Sequence, residues 1–283
     1  MTLRWGRAVG NRSELDGWVE RVTGIEPASR AWKASALPLS YTRELGYHEP
    51  IIGDERVRGR WTVDRRAWLR ERRRVAEERH DTLHAATYDQ QEWGAISPTH
   101  RRFVGQLIQR CPPGGRILDA ACGTGKYFGM ILEAGRQVMG TDQSAGMLVQ
   151  ARRKHPEVPT EKVGLQELAF DGEFEAAMCV DAMENVFPED WALVLANLRR
   201  ALRPGGHLYL TVELLDEQEL ERVFAEATAS GLPVVRGEHT SRGGGYHYYP
   251  PLDQVAAWVR DAGLASLDSG VGDDYYHLLA SGR

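Results

Sequence analysis

Two carboxylates and two glycines in the middle of the chain have the types and the spacing of a nucleotide-binding site: Asp119, Gly123, Gly125 and Asp142. Asp119 ends a short apolar run, and the glycines follow it in a turn of small residues that leads into a helical pattern. Glycine lets such a turn adopt positive φ and approach a ligand closely, and the start of the helix offers free N–H groups to an anion. The stretch therefore predicts a nucleotide-like cofactor on an open α/β sheet.

The glycine spacing argues against a dinucleotide. A dinucleotide site normally adds a third glycine, in the pattern G-x-G-x-x-G, and the third place here, counted from Gly123, is Phe128. A carboxylate at the strand end, Asp119, suits a ligand that carries a positive charge. Asp142 ends the second predicted strand, nineteen residues after Gly123, where it can accept hydrogen bonds from ribose hydroxyls. One acid for an amino group and one for a ribose describe S-adenosylmethionine (SAM).

With this combination of acids and glycines, the chain resembles the class I SAM-dependent methyltransferases over roughly residues 95–283. The turn L-R-P-G-G at residues 202–206, followed by HLYLTVE, is a further feature of that family. The alternation of predicted strands and helices also implies a mostly parallel sheet covered on both faces. The expected fold is α/β: a Rossmann-like, seven-stranded, mostly parallel sheet with an antiparallel last strand, helices on both faces and an N-terminal helical cap.

The resemblance implies further contacts with the cofactor, in addition to the acids and the glycine turn. Ala121 belongs to the turn that approaches the methionine part, and Gln143 follows alongside the nucleoside. Asp181, at the end of the fourth predicted strand, is expected under the sulfonium end. Gln166 and Glu167 occupy the region that the family places near the adenine, although the commoner family pattern has an aspartate there.

Methyl transfer requires a base only when the acceptor must lose a proton. The run DAMENV, residues 181–186, is the first place to look, because family members with small-molecule acceptors often carry an acid or a histidine there. Glu184 is therefore the first catalytic candidate. The alternative is that Glu184 only caps or hydrogen-bonds the loop that follows it.

His247 is the second catalytic candidate, because a histidine can act as a base near neutral pH. The tyrosines around it could receive a flat substrate or face the sulfonium, or they could anchor a lid to the core. The predicted substrate pocket comprises Tyr88, Tyr246, Tyr248 and Tyr249.

The elements that would position these residues can be read from the sequence. Ser97-Pro98 predicts the start of a helix that runs to about residue 110. Strands are predicted at residues 116–120, 137–141, 161–164, 175–180, 207–213, 264–269 and 274–280, with Gly270 and Gly272 as turn residues between the last two. A lid insertion at 214–251 would contain a helix at 216–229, a strand at 234–238 and a loop at 242–250.

The N-terminal part of the chain divides into two segments. Residues 56–110 form the expected helical cap before the SAM-binding domain at 111–283. Residues 1–55 show no sustained pattern, and residues 22–43 resemble the product of a mistranslated transfer-RNA gene. We expect a true start near Val57 or Val63, and the alternative is a real, poorly ordered extension.

A long amphipathic helix is predicted at residues 61–86. The stretch from 55 to 80 holds ten arginines and five acids. One interpretation is a solvated face of helical ion pairs. The other is a phosphate-binding patch, which would favour an RNA or protein methyltransferase.

Composition narrows the function classes. The formal net charge of −5 argues against a globally basic nucleic-acid binder. The three cysteines have no metal-ligand spacing, so we expect reduced thiols in a cytoplasmic protein and no metal site. No apolar run approaches membrane-spanning length. The sequence thus predicts a SAM-dependent methyltransferase with a small-molecule acceptor, and a non-catalytic SAM-binding protein is a further alternative.

Overall fold

The computed structural model describes residues 64–90, 95–240 and 245–282. The predictions for residues 1–55 and for a start near Val57 or Val63 lie outside the described residues. So do residues 61–63 of the predicted helix at 61–86 and residues 242–244 of the predicted loop at 242–250.

Nine strands occur in the described part of the chain: β1 Arg116–Ala120, β2 Gln137–Asp142, β3 Thr160–Lys162, β4 Phe174–Cys179, β5 Leu202–Glu213, β6 Glu238–Thr240, β7 Tyr246–Tyr248, β8 Leu264–Gly272 and β9 Tyr275–Gly282. Seven of them form one sheet in the order β3-β2-β1-β4-β5-β9-β8, and β6 and β7 pair separately. The strands from β3 to β5 are parallel neighbours, whereas β9 is antiparallel to both β5 and β8. This confirms the predicted Rossmann-like sheet with an antiparallel last strand.

Seven α-helices accompany these strands within the described ranges: α1 Arg65–Arg79, α2 Pro98–Arg110, α3 Phe128–Glu133, α4 Ala145–Lys154, α5 Trp191–Ala201, α6 Glu217–Ala229 and α7 Leu252–Asp261. Side-chain oxygens of Ser97, Ser144 and Asp216 accept backbone N–H groups where α2, α4 and α6 begin. Such caps satisfy donors that a helix leaves unpaired, which explains why these helices begin there. The predicted helix at 61–86 is shorter, and it ends in a π-helical turn, His80–His84.

The core lies on both faces of the sheet. In β4, Ala176 and Met178 pack toward α2, α3 and α4, while Ala177 and Cys179 pack toward α1, α5 and α7. All four residues are fully buried, as expected for a parallel strand with helices on both sides.

The structure corrects the predicted turn between the last two strands. Asp273 and Asp274 form it, with φ of 55° and 65°, the left-handed conformation that a two-residue hairpin turn requires. Gly270 and Gly272 lie inside β8 instead. Gly272 is needed for packing, because a Cβ there would lie 2.7 Å from Thr99 Oγ1.

The predicted strand at 234–238 is also wrong. The strand begins only at Glu238, after Gly237 with φ of 95°, and it pairs with Tyr246–Tyr248, which the prediction left in a loop. Among the described residues, no helix combines the length and the apolar character needed to cross a bilayer.

Candidate functional site

Asp119 and Asp142 lie close together because β1 and β2 are parallel neighbours, with Asp119 opposite Gly140 in the register. Both acids line a cavity of about 1150 Å³ at the carboxyl ends of the strands, its open mouth included. The predicted site residues that line it are Tyr88, Asp119, Ala121, Gly123, Asp142, Gln143, Gln166, Asp181 and Tyr246.

The turn after β1 has the conformation that its glycines suggested. Ala121, Gly123 and Gly125 all have positive φ, at 60°, 54° and 75°. No atom of the described residues lies within 4 Å of the position of a Cβ at Gly123, so the turn leaves open space there. Gly125 does not line the cavity, and a Cβ on it would press on the Phe128 ring at 2.7 Å. Gly123 therefore leaves room for a ligand, while Gly125 allows the following helix to pack.

Asp119 is a buried carboxylate with an unmet hydrogen-bonding capacity. It is 1 % exposed, and its Oδ2 has no hydrogen-bond partner among the described residues. Burial raises the pKa of this carboxyl to about 8, and the neighbouring Asp142 adds to the effect. A buried acceptor without a donor is unfavourable unless a ligand supplies one. The site thus fits a cationic group such as the amino group of SAM.

Asp142 is held in place by two backbone donors. Its Oδ2 accepts the N–H of Gly123 at 2.9 Å, and its Oδ1 accepts that of Ser144 at 2.8 Å. Burial raises the pKa of Asp142 in spite of these bonds. Each carboxylate oxygen has a second lone pair, so the group can still accept two hydroxyls of a ribose.

Helix α1 belongs to the predicted N-terminal helical cap, and it supplies four residues of the cavity wall that no sequence pattern singled out. Arg72, Arg73, Ala76 and His80 line the cavity. Arg73 also holds Glu167, with Nη2–Oε2 at 2.5 Å, and Glu167 does not line the cavity as a contact with the adenine would require. Amphipathic periodicity places α1 on the core, but it does not show which strand ends the helix will cover.

Other arginines of α1 are paired with acids as well. Arg65 contacts Glu189 at 2.5 Å and Glu238 at 2.9 Å. Arg74 contacts Glu71 and Glu78, one turn away on the same helix. These pairs favour the interpretation of α1 as a face of ion pairs over that of a phosphate-binding patch.

Asp181 lines the cavity and also contacts residues from three other segments of the chain. It has φ of 52°, unusual for a residue other than glycine, and its backbone N–H donates to Thr211 Oγ1 at 2.8 Å. Its carboxylate lies 2.7 Å from His100 Nε2 and 3.5 Å from Lys126 Nζ. Although burial opposes ionisation, the hydrogen bond and charge of His100, with Lys126, lower the pKa of Asp181.

Glu184 and His247, the two catalytic candidates, lie in a second polar cluster and do not line the cavity. Glu184 is 5 % exposed, and its Oε2 has no partner among the described residues. Burial, and then the charge of Glu213, raises its pKa to about 8. His247 Nδ1 lies 2.6 Å from Glu213 Oε2. Burial lowers the pKa of His247, but Glu213 outweighs this, so the net shift is upward. No sequence pattern singled out Glu213, the last residue of β5.

The tyrosines around His247 differ in role. Tyr246 lines the cavity, donates to Glu238 Oε1 at 2.6 Å and packs edge-on against Phe187. Tyr248 packs against Trp191 in the core, and Tyr249 lies behind the cavity, 3.3 Å from His247 Nδ1. The cluster thus anchors the insertion, and only Tyr246 among these tyrosines faces the predicted pocket.

Comparisons with known proteins agree with this geometry. Residues 117–206 match a family model described as a methyltransferase domain. The chain is 30 % identical over 177 residues to a demethylmenaquinone methyltransferase of Renibacterium salmoninarum, covering 59 % of this chain and 73 % of that one. It is 31 % identical over 186 residues to a ubiquinone biosynthesis O-methyltransferase of Xanthomonas campestris, covering 62 % and 72 %.

Solved structures show the same fold. The 1,6-didemethyltoxoflavin-N1-methyltransferase of Burkholderia thailandensis, solved with S-adenosylhomocysteine, superposes with a TM-score of 0.57 at 17 % identity, covering 76 % of this chain and 90 % of that one. The magnesium protoporphyrin IX methyltransferase of Synechocystis, solved with SAM, gives a TM-score of 0.54 at 15 % identity, covering 75 % and 97 %.

Proposed function

The chain belongs to the class I SAM-dependent methyltransferases, and we propose that it transfers the methyl group of SAM to a hydroxyl of a small ring-bearing acceptor. One observation carries the assignment of the cofactor site to this cavity. The carboxylate of Asp119, whose Oδ2 has no hydrogen-bond partner among the described residues, and the backbone-held carboxylate of Asp142 lie near the ends of neighbouring strands in the same cavity.

The chain's own residues would hold the cofactor at three points. Asp119 would bind the amino group, Asp142 the ribose hydroxyls, and the turn from Ala121 to Thr124 would approach the methionine part. When bound, SAM supplies a methyl group whose bonding electron pair leaves with its sulfur, so the leaving group is already activated. The protein has to orient the acceptor and exclude water.

Two lines of support favour a small acceptor with a ring. The cavity has Tyr88 and Tyr246 in its wall, and aromatic side chains pack well against flat apolar ligands. The relatives named above are a ubiquinone biosynthesis O-methyltransferase and a demethylmenaquinone methyltransferase. As a proposal for this chain, we take the ring from both names and the oxygen acceptor from the first.

Glu184 and His247 remain proposed contacts on the acceptor side. With its pKa raised to about 8, Glu184 is protonated at neutral pH and would donate a hydrogen bond to the acceptor. His247, whose Nδ1 lies 2.6 Å from Glu213 Oε2, would offer a second polar contact. Both act only if the acceptor reaches behind the cavity wall, so they stand apart from the cofactor residues.

The alternatives from the sequence are weaker. An RNA or protein substrate on α1 is disfavoured because Arg65, Arg73 and Arg74 are already paired with acids. We also propose a cytosolic location, supported by cysteines that are all free and buried.

The cofactor assignment is tested by calorimetry with SAM and with S-adenosylhomocysteine. Asp142→Asn keeps the size of the side chain but removes its charge and one acceptor, and we expect at least tenfold weaker binding of both ligands. Asp171→Asn, on an exposed carboxylate, is the matched control and should bind as the wild type does. Equal affinity of Asp142→Asn and the control would refute the ribose contact.

The acceptor class is tested with radiolabelled SAM and a panel of dihydroxybenzenes and dihydroxynaphthalenes, each paired with its amino analogue. Methyl transfer to the hydroxyl compounds supports the proposal. Transfer only to the amines would overturn the hydroxyl assignment.

A further inference from the structure

A continuous chain of hydrogen bonds leads from the cavity wall to the protein surface. Asp181 Oδ1 lies 2.7 Å from His100 Nε2, and His100 Nδ1 lies 2.6 Å from Ser97 Oγ. Ser97 Oγ in turn donates to Asp273 Oδ2 at 2.7 Å. Asp181 lines the cavity, His100 is 4 % exposed, and Asp273 is exposed in the turn between β8 and β9.

The protons that these three hydrogen bonds need can be counted. Three short contacts require three protons, whereas a neutral imidazole and one hydroxyl supply two. Ser97 Oγ already accepts the backbone N–H of His100 at 3.2 Å and gives its own proton to Asp273. It can therefore only accept at its contact with His100 Nδ1, and the third proton must be on that nitrogen or on an acid.

The acids at both ends favour the imidazole as the place of the third proton. Burial opposes ionisation of Asp273, but hydrogen bonds from Ser97 and Thr99 and the charge of His100 lower its pKa. The pKa of Asp181 is lowered as well. An imidazole with the third proton on Nδ1 donates to both Asp181 Oδ1 and Ser97 Oγ, and this arrangement satisfies all three contacts while both acids stay ionised.

The groups that face His100 are compatible with this state. Lys126 lies beyond Asp181, and the rings of Tyr275 and His277 stand edge-on to His100 at 5.4 and 4.8 Å between centroids. His277 adds no charge, because burial lowers its pKa to about 4. Its Nε2 contacts the carbonyl oxygen of Gly272, and its Nδ1 contacts the hydroxyl of Tyr209.

The same histidines are close enough to suggest a metal site. Among the described residues, His100, Asp273 and His277 form a group whose candidate ligand atoms lie within 4.8 Å of one another. Each ring nitrogen of both histidines already has a protein partner. The group is therefore explained by hydrogen bonds and does not require an ion.

We propose that Asp181, His100, Ser97 and Asp273 form a proton relay that takes up the proton of the methyl acceptor and releases one at the surface. The proposal rests on the function proposed above. As the acceptor oxygen bonds to the methyl group, its O–H bond breaks, the electron pair stays on oxygen, and the proton goes to Asp181.

The other three residues of the relay compensate for this proton uptake. Once Asp181 is neutral, His100 loses its counter-charge and gives its Nδ1 proton to Ser97. The Ser97 hydroxyl proton moves to Asp273 and from there to water. One proton enters and one leaves, so the charge around the cavity is unchanged. After product release, Asp181 returns its proton to solvent, and one proton re-enters at Asp273.

A carboxylate with a low pKa is a sufficient base for this step. An oxygen that has taken a methyl group while keeping its proton is a far stronger acid than a carboxylic acid, so the transfer to Asp181 is favourable as the new bond forms. A methylated amine holds its proton far more strongly than a carboxylate does. The relay therefore fits a hydroxyl acceptor.

Nitrogen NMR on histidine-labelled protein with bound S-adenosylhomocysteine tests the relay without turnover. At pH 7, both ring nitrogens of His100 should resonate in the protonated range, while His277 serves as the internal neutral reference. In Asp273→Asn the Nδ1 signal of His100 should move to the unprotonated range. Asparagine tolerates the left-handed conformation of residue 273, and Asp274→Asn, in the same turn, is the matched control.

Two results would overturn the relay: a singly protonated His100 in the wild type, or the same His100 nitrogen signals in Asp273→Asn and in the control.

Rates in mixtures of light and heavy water give a second readout with an acceptor from the hydroxyl panel. The plot of kcat against deuterium fraction should be curved in the wild type and linear in Asp273→Asn, with kcat lowered roughly tenfold. A plot and a kcat of Asp273→Asn that match those of the wild type would also refute the relay. Failure of the proposed function can be distinguished from failure of the relay, because the wild type would then not bind SAM or would not transfer the methyl group.

Discussion

Replacing Asp119 by asparagine should stabilise the protein without ligand and weaken its binding of SAM. The carboxyl is 1 % exposed, and one of its oxygens has no partner among the described residues. Asparagine keeps its shape and removes the charge. The same substitution thus relieves the folded state of a buried acid and deprives the ligand's amino group of its counter-ion.

The size of the stability effect follows from the pKa of Asp119, which is raised from 3.8 to about 8. A carboxyl with a raised pKa binds its proton more tightly in the folded state, so stability falls as pH rises from the lower value to the higher one. Each pH unit in that window is worth about 1.4 kcal/mol. At pH 7 the penalty approaches about 4 kcal/mol, an upper limit that Asp119→Asn would relieve.

Thermal unfolding between pH 4 and pH 8.5 measures this effect. The difference in Tm between Asp119→Asn and the wild type should be near zero at pH 4 and grow with pH, up to about 10 °C for a domain of this size. Asp171→Asn, on an exposed carboxylate, provides the control for the loss of one negative charge.

Calorimetry in two buffers of different ionisation enthalpy measures the binding side. At pH 7 a carboxyl with this pKa is about nine-tenths protonated, so binding of a cationic amino group should release nearly one proton per SAM. Asp119→Asn should release none and bind at least tenfold more weakly. A Tm difference independent of pH, together with no proton release by the wild type, would refute the reasoning.

Two further substitutions have outcomes that differ in kind. Glu184→Gln should leave methyl transfer nearly unchanged at pH 6.5, because the pKa of about 8 keeps Glu184 protonated there; the two rates should diverge above pH 8.5, and a large loss at pH 6.5 would contradict a protonated Glu184. Tyr246→Phe removes the hydrogen bond to the buried Glu238 and should lower the free energy of unfolding by about 1–3 kcal/mol in urea titrations. Tyr275→Phe, half-buried on β9, is the comparison. No change would show that Arg65 and the backbone N–H of Val235 satisfy Glu238 without Tyr246.

The features predictable from the sequence were those encoded within one segment. Asp142 is the last residue of β2 and Asp119 the last but one of β1, and each strand is followed by a turn into a helix. Parallel pairing brings such ends to one edge, so strand position alone placed both acids in one cavity. The cap at Ser97 was equally local, because a hydroxyl reaches only the first turn of its own helix.

The features that escaped prediction depend on contacts between distant segments. His100 meets Asp181 across 81 positions, and Arg73 meets Glu167 across 94. No sequence pattern marks either pair, because the chain has many basic side chains and acids that could pair in other combinations. The turn at Asp273 was missed for another reason: the nearby glycines were the expected turn formers, but β8 uses Gly272 for close packing against Thr99.

The ion pairs of α1 have a consequence for the release of spent cofactor. Arg73 is part of the cavity wall and is held to the 3₁₀ turn after β3 by Glu167, while Lys162 holds Glu77 at 2.7 Å. These pairs are partly exposed, so each contributes about 0–1 kcal/mol and weakens as dissolved ions screen it. The rate at which S-adenosylhomocysteine leaves should therefore rise with ionic strength, and product release would be more sensitive to the salt content of the solution than the fold is.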